Sequence, residues 1–565
     1  MNIPTEHRSP RASRGRAGRL IVVFLPTVIV ALECERVSAH EHTLPAYARA
    51  LRADTADGNA TNGPSVSSES RGTSLCRLTL NLTDAATKDT LPGLVRITTT
   101  DGRLLELESL FNRGTGLRQG HQSRDWHVVL GSAAANVPRE RLTIEAFSGL
   151  ETELGRRTID LTDQAATQIS IPLVRFHRAA ATGWRSGNTH LHLMSLTRDE
   201  ADQYLKSISR ADGLELVFVS FLRRAKAERN YISNTYTKEG LQQLSGHGVT
   251  FGHGEEHRHN FGPGGEGYGH VMFLNIKELI RPVSIGPGIM GEGSDSPPMR
   301  RGIEKARLDG ATAVWCHNAW GLEDVPDWIT GALDAHNIFD GGSRGGYGDT
   351  FYRFMDIGLQ VPFSTGTDWF VYDFSRVYVR LEEPLSVERW LEGLRKGRSF
   401  ITNGPLLELH VGKYRPGDVI RLAHPEQLEV TARAIGRCDF QRIELVYNGR
   451  VVQSRPSRPV DGHFEAGMTV PLRIGQPGWI ALRVNSEAKN EFGGPLFGHT
   501  SAIYVEVAGK TIFKAEVAEE LIADMQEAIR TIEEKAAFAN EVERNEVLNV
   551  YRQGIAAIRK RLNTP

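Results

Sequence analysis

SGNTHLHLMSLTRDEADQYLKSISRADGLELVFVSF, residues 186–221, carries three textures in succession. SGNTHLHLM reads as a strand, and LTRDEADQYLKSISRADG reads as a helix. LELVFVSF (214–221) is a near-continuous apolar run, as a strand buried on both faces requires. The rhythm then repeats along the chain. TKEGLQQLSGHG is a helix closing on glycine, VTFGHG a strand, HVMFLNI a strand, PMRRGIEKARLDG a helix and ATAVWCHN a strand. NIFD, a helix around YGDTFYRFMDIG, and VPFSTGTDW continue it. Strands alternating with helices predict a parallel α/β sheet or barrel. No dinucleotide fingerprint opens the first βα unit, which favours the barrel. This region is placed at 180–405.

On either side the period changes to two. Cys76, Leu78, Leu80 and Leu82 alternate with polar residues, Asp101-Gly102 is a turn signal, and TQISIPLV (167–174) alternates again, so 74–178 reads as a β-sandwich. After GRSFITNGP (397–405), RIELVYNGRVVQ (442–453) is a hairpin around Asn448-Gly449. WIALRVNS alternates in the same way, and 406–508 is read as a second β-sandwich. Leu521, Met525, Ile529 and Ile532, then Leu548, Tyr551, Ile555, Ile558 and Leu562, recur at helical spacing, so 515–562 reads as a helical hairpin packing its apolar stripe on the body.

The N-terminus reads as a targeting segment. Arg11, Arg14, Arg16 and Arg19 precede the apolar run LIVVFLPTVIVAL, and Val37-Ser38-Ala39 offers the small residues of a cleavage site. At about 13 residues, interrupted by Pro26, the run is too short for a bilayer span. Residues 1–39 are therefore expected to be a signal peptide, and polar residues 40–73 a flexible linker. The mature chain would be exported, periplasmic or extracellular, with no stable membrane span. Cys76, Cys316 and Cys438 are too widely spaced for a disulfide framework. Over 565 residues, 67 basic and 68 acidic side chains nearly cancel. No strong field attracts nucleic acid, so the expected partner is a small-molecule substrate.

His190-Leu191-His192 puts two imidazoles on one face of a strand, where both can reach one ion. Glu255 and Glu256 follow VTFGHG, His270 begins HVMFLNI, His317 closes ATAVWCHN, and Asp368 follows VPFSTGT. Most of these lie near C-terminal ends of expected strands, where an α/β barrel builds its active site. His and carboxylate are ligand types that zinc, manganese and iron accept. Two other motifs compete. GPGGEG (262–267) matches GxGxxG, but Pro263 follows its first glycine and no helix comes after it. GGSRG (341–345) matches GxSxG, but Gly346 and Gly348 delay the helix that a nucleophile elbow at Ser343 needs.

GNTHLHLM, the Glu-rich turn leading to GYGHVMFLNI, VWCHN, STGTDW and above all GLRKGRSFITNGPLLEL resemble the CehA/McbA-like (carbaryl-hydrolase-like) branch of the polymerase and histidinol phosphatase (PHP) superfamily, over residues 183–408. The resemblance implies a distorted (β/α)7 barrel binding divalent metals at its C-terminal strand ends. By position it implies His190, His192, Glu256, His270, His317 and Asp368 as metal ligands. The chain departs from the family pattern at Asn188, where Asp is usual, and at Val219-Ser220-Phe221, where a TDH-like motif is frequent. It departs again at Asp368-Trp369-Phe370, where the family's DxH ends in histidine. One or two ions (Zn, Mn or Fe) are therefore expected rather than three.

The implied chemistry is metal-assisted hydrolysis of a carbamate, ester or amide, or of a phosphoester as elsewhere in the superfamily. Asp368, or Glu255, His257 or His259 behind it, would take the proton. Arg223 and Arg224 could bind an anionic substrate. Trp320, Trp369 and Phe370 suggest an apolar rim. The reading of a different class is an exported, non-catalytic binding protein with a degenerate metal site.

Overall fold

The computed structural model describes residues 74–563 apart from 226–230, 263–266, 319 and 343–345. The expected signal peptide, the linker and Ser343 lie outside the described residues. The described chain is mixed α/β and rich in sheet.

Residues 75–173 form two sheets. Leu75–Asp84 pairs with Ser132–Pro138 on one side and Ala166–Leu173 on the other, while Pro92–Thr99 and Arg141–Phe147 centre a four-stranded sheet. Alternation dictates which residues meet between them: Cys76, Leu78, Leu80 and Leu82 are buried with Val95, Ile97, Leu142 and Ile144.

The central sheet starts with Trp184–His192. Leu216–Phe221 pairs parallel to it, and Thr250–His259 parallel to that. Gly269–Leu274 then runs antiparallel and leads to Thr312–Trp315, Ala335–Asn337 and Phe363–Ser364. Finally Asp368–Trp369 pairs parallel with Leu191 and His192 of the first strand. The antiparallel strand Gly269–Leu274 departs from the parallel sheet that the strand–helix rhythm predicts. Only residues 260–268 connect it to its predecessor, whereas a parallel return needs a crossover of about a dozen residues or more.

The helix Arg198–Ala211 opens on a capping box, Thr197 with Glu200, and buries Ala201, Tyr204, Leu205, Ile208 and Ala211 at helical spacing. The helix Met299–Leu308 backs the strand Thr250–His259, close enough that Gly302 has no room for a Cβ beside the His257 ring. On the first strand's other edge, Arg376–Arg380 pairs antiparallel with residues 184–187, then with Ser399–Thr402, which pairs with Pro495–Thr500. The sheet is thus continuous into the C-terminal β-structure. There a second sheet of Leu406–Val411, Glu426–Gly436, His463–Ile474 and Arg458–Val460 lies alongside. The hairpin turn Asn448-Gly449 places both residues at positive φ (50° and 82°), as a tight turn with right-handed strand twist demands. The tail consists of helices Ala515–Lys535 and Glu541–Leu562, with Gly554 letting Met525 and Pro326 of the neighbouring helix Asp324–Ile329 approach closely. No described helix is long and apolar enough to cross a membrane.

Candidate metal centre

The sheet brings six side chains to one end. His190 and His192 sit two residues apart at the C-terminal end of their strand, on one side of it. Glu256 lies on Thr250–His259, and His270 lies diagonally opposite it on the antiparallel neighbour, where Glu256 faces Met272 and Arg258 faces His270. His317 follows the end of Thr312–Trp315, and Asp368 opens the short strand paired with Leu191.

Two groups result, and Glu256 belongs to both. In the first, His190 Nε2 and His192 Nε2 are 3.1 Å apart, and His192 Nε2 is 3.0 Å from Glu256 Oε2. Asp368 Oδ1 lies 3.3 Å from His190 Nε2 and 3.8 Å from His192 Nε2. In the second, Glu256 Oε1 lies 2.9 Å from His270 Nδ1 and 3.5 Å from His317 Nε2. Four ligands held at about 2.0–2.1 Å from a tetrahedral zinc ion stand about 3.3–3.4 Å from one another. The first group's spacing is that of ligand atoms around a common point.

Tautomer and bonding fit a cation as well. His190 Nδ1 meets Asp340 Oδ2 at 2.9 Å, and His192 Nδ1 meets the Ser220 carbonyl at 2.9 Å. If each Nδ1 donates there, both Nε2 lone pairs face inward at 3.1 Å, which is repulsive unless a cation lies between them. Glu256 Oε1, His270 Nδ1 and Asp368 Oδ1 are buried and make no well-aligned hydrogen bond, although Glu256 Oε1 and His270 Nδ1 face each other at 2.9 Å. These buried groups could hold a metal ion.

Protons stand in where no metal is bound. Burial opposes charge on His190, but Asp368 and the Asp340 hydrogen bond drive its pKa well above the usual range. His317 is likewise disfavoured by burial, yet Asp340 and Glu256 push it up to about 10. Burial would raise Glu256, but Arg258 and the hydrogen bonds from His190 and His192 hold it well below the usual carboxylate range. Burial and the neighbouring Arg258 hold His270 neutral.

Backbone strain gathers at the same place. His317 (φ 61°), Asn318 (φ 59°), Phe339 (φ 61°), Asp368 (φ 58°) and Phe370 (φ 55°) are all left-handed without being glycine. Each such residue costs on the order of 1–3 kcal/mol and persists only where its surroundings over-determine it. Gly341, at φ 60°, leaves room for the Asp368 carboxylate: a Cβ there would sit 2.8 Å from Oδ2.

The three other acid–base candidates are not brought to this centre. Glu255, His257 and His259 alternate with Glu256 and Arg258, so they point to the other face of the strand. Glu255 Oε2 accepts the Ile280 amide at 2.7 Å. His257 rests on Phe273, with ring centroids 5.2 Å apart. His259 bonds Asp295 at 2.9 Å and stacks on Tyr268. Phe370, expected at the rim, is buried against Tyr204 instead. Trp320 lies beside His270, and Trp369 beside His192, with ring centroids 4.3 Å and 5.2 Å apart.

Three residues join the site unforeseen. Asp340, wholly buried, binds His190 and also accepts the His317 amide at 2.9 Å; His317 and His190 overcome burial and keep it ionised. It closes NIFD at the end of a strand, the same signal that marked the others. Arg258 reaches Glu256 Oε2 at 3.2 Å and His270 Nε2 at 3.4 Å. Cys316 lies against His190, but burial pushes its thiol up to about 12, so it remains protonated. Arg224 stacks over Trp369 at 5.9 Å with its Nε unpartnered. The nearby Arg258 charge and burial bring it down to about 10, so it is still charged at neutral pH.

No protein-family model matches the chain, and no curated protein does. The β-glucuronidase of Parabacteroides merdae, solved with glycerol in its active site, is similar at 10% identity over 74% of this chain, with a TM-score of 0.15. The match spans 60% of that protein, and a similarity this low carries no argument about fold or function.

Proposed function

We propose that this chain is an exported, divalent-metal-dependent hydrolase on a distorted (β/α)7 barrel of the PHP type, cleaving a carbamate, ester or amide bond in a small molecule. The observation that carries the reading is the pair of buried ligand groups sharing Glu256, whose candidate ligand atoms converge within each group. His190, His192, Glu256 and Asp368 would hold one ion, and Glu256, His270 and His317 a second. The bound zinc, manganese or iron would supply a water of lowered pKa and a polarised substrate oxygen. The chain's own residues do the rest. Asp340 and the Ser220 carbonyl orient the two imidazoles of the first strand. Asp368, with one oxygen in the ligand group and the other beside Gly341, would accept the proton of the attacking water. Trp320 and Trp369 give the substrate an apolar wall.

A second reading, a PHP-type phosphoesterase, is favoured by Arg224 and Arg258, two guanidinium groups beside one ligand cluster. Such a pair suits an oxyanion better than a neutral carbamate. Both readings are tested by elemental analysis of the purified chain beside His190→Ala, with turnover on aryl carbamates, esters and phosphates before and after chelation. Metal in the parent, its loss in the variant and chelator-sensitive turnover are expected. The substrate that turns over separates the two readings. Metal binding without turnover would support the non-catalytic alternative, and a metal-free, inactive protein would sink the hydrolase reading.

A further inference from the structure

Beyond the ligands, the segment Trp369–Asp373, which follows Asp368, has an unusual set of hydrogen-bond partners. Its first residues still follow the sheet, since the Phe370 amide donates to the His192 carbonyl at 3.0 Å. Three successive carbonyls then take donors from side chains of the N-terminal β-structure. Arg113 Nη1 donates to the Val371 carbonyl, Ser123 Oγ to Tyr372 O at 2.9 Å, and Arg113 Nη2 to Asp373 O at 3.3 Å. The Val371 amide, meanwhile, donates to the Tyr204 hydroxyl at 2.7 Å. Arg113 is wholly buried and is anchored by Asp212, itself wholly buried, at 2.7 Å. The Phe370 ring packs on Tyr204 with centroids 5.6 Å apart, and Gly116 lies so close that a Cβ would collide with the ring.

Backbone groups taken out of water need partners, and a left-handed Asp368 and Phe370 need a reason to stay so. Here the donors to the three carbonyls, and part of the packing on Phe370, come from residues 111–126, a loop more than two hundred positions away in the chain. We infer that Arg113, with Ser123, is a positioning residue for the Asp368 carboxylate, and that the N-terminal β-structure is a working part of the metal centre rather than a separate binding module. The inference rests on the metal-site reading above. It assigns Arg113 no contact with substrate: the residue acts through the backbone that carries Asp368, and therefore on the first ligand group and not on Glu256–His270–His317.

The test is Mn2+ titration of the chelator-stripped full chain, with free Mn2+ read by electron paramagnetic resonance. Arg113→Lys keeps a cation for Asp212 but cannot span three acceptors, and Ser123→Ala removes a single donor. Leu80→Ala, in the separate core of the same N-terminal β-structure, is a control for general destabilisation. Supporting groups of this kind shift metal affinity about 10–100-fold. Arg113→Lys is expected to weaken one class of ion by about that factor and leave the other at its parental affinity, as a milder copy of Asp368→Ala. Ser123→Ala is expected to do the same to a smaller degree, and Leu80→Ala to lower the melting temperature with both classes intact. A folded Arg113→Lys and Ser123→Ala that both bind as the parent does would overturn the inference. So would equal losses in Leu80→Ala. A parent chain that binds no Mn2+ removes the metal-site reading and the inference with it, a result distinct from either of these.

Discussion

Asp340 serves two imidazoles with one carboxylate. Its Oδ2 meets His190 Nδ1 at 2.9 Å, its Oδ1 accepts the His317 amide at 2.9 Å, and His317 Nδ1 lies 3.3 Å away. A charge there makes each imidazole a better ligand through its opposite nitrogen. Asp340→Asn keeps the size and an acceptor but removes the charge. It is expected to weaken metal binding about 10-fold or more while the ligand residues remain, measured by competition with a chelating dye. Undiminished affinity would show that Asp340 is merely buried beside the centre. Sequence alone reveals His190 and His192, because a spacing of two on a strand is a geometric statement about side-chain direction. Asp340 carries the same end-of-strand signal but stands alone in NIFD, with no second ligand-type residue beside it. Arg258 is less legible still: nothing in GEEHRH separates the residues facing the site from those facing away until the register of the strand is known.

At the scale of one element, the strand Thr250–His259 divides its own side chains. Glu256 and Arg258 face the ligand cluster, while Glu255, His257 and His259 face the helix Met299–Leu308 and the Tyr268–Asp295 side. GHGEEHRHN (252–260) is dense in histidine, but alternation keeps His257 and His259 away from the centre. His257→Ala is expected to leave the number of bound ions unchanged and lower stability by about 1–3 kcal/mol, since a buried ring against Phe273 and Gly302 is lost. Denaturant titration and elemental analysis measure the two effects separately; loss of metal in a folded variant would return His257 to the site. The neighbouring strand Gly269–Leu274 was also only half legible. Its apolar run marks it as buried, but direction depends on connection length, and the short glycine-containing link before it makes it antiparallel. That reversal is what brings His270, the first ligand-type residue of its strand, to the same end as Glu256, near the end of its own.

For the whole molecule, opposing buried groups set the response to acid. Burial pushes His336 down to about 4 against the opposing pull of the Asn318 carbonyl, and its Nδ1 accepts from the Trp328 indole at 3.0 Å. Burial also pushes His499 down to about 3, between the Tyr352 hydroxyl and Thr500 carbonyl. Groups with folded pKa below the unfolded value contribute stability that is full above about 6.5 and lost as pH falls through the folded value. Asp327 works the other way. Burial, helped by Asp324 and Glu304, outweighs its ion pair with Arg300 at 2.6 Å and raises it to about 7. Asp324 is raised by burial to about 6. Their contribution is full below about 3.8 and lost as pH rises through those values. Glu323, which caps the helix Met299–Leu308 through the Met299 and Arg300 amides, is raised by burial and by Asp327 in the same direction. Between pH 4.5 and 7 the acids therefore gain what the histidines lose, and the parent's stability changes little. Asp327→Asn keeps an acceptor for Arg300 and resembles the protonated acid. It is expected to be more stable than the parent at pH 8 and to lose stability more steeply on acidification to pH 4.5, by a kcal/mol or more, since one pKa unit is worth about 1.4 kcal/mol. Urea unfolding at the two pH values measures this, with metal removed so that proton–metal competition at His190 and His317 does not contribute. If the variant and parent lose stability in parallel, the acid cluster beneath the tail helices is not protonated in the folded chain, and the histidines alone set the acid limit.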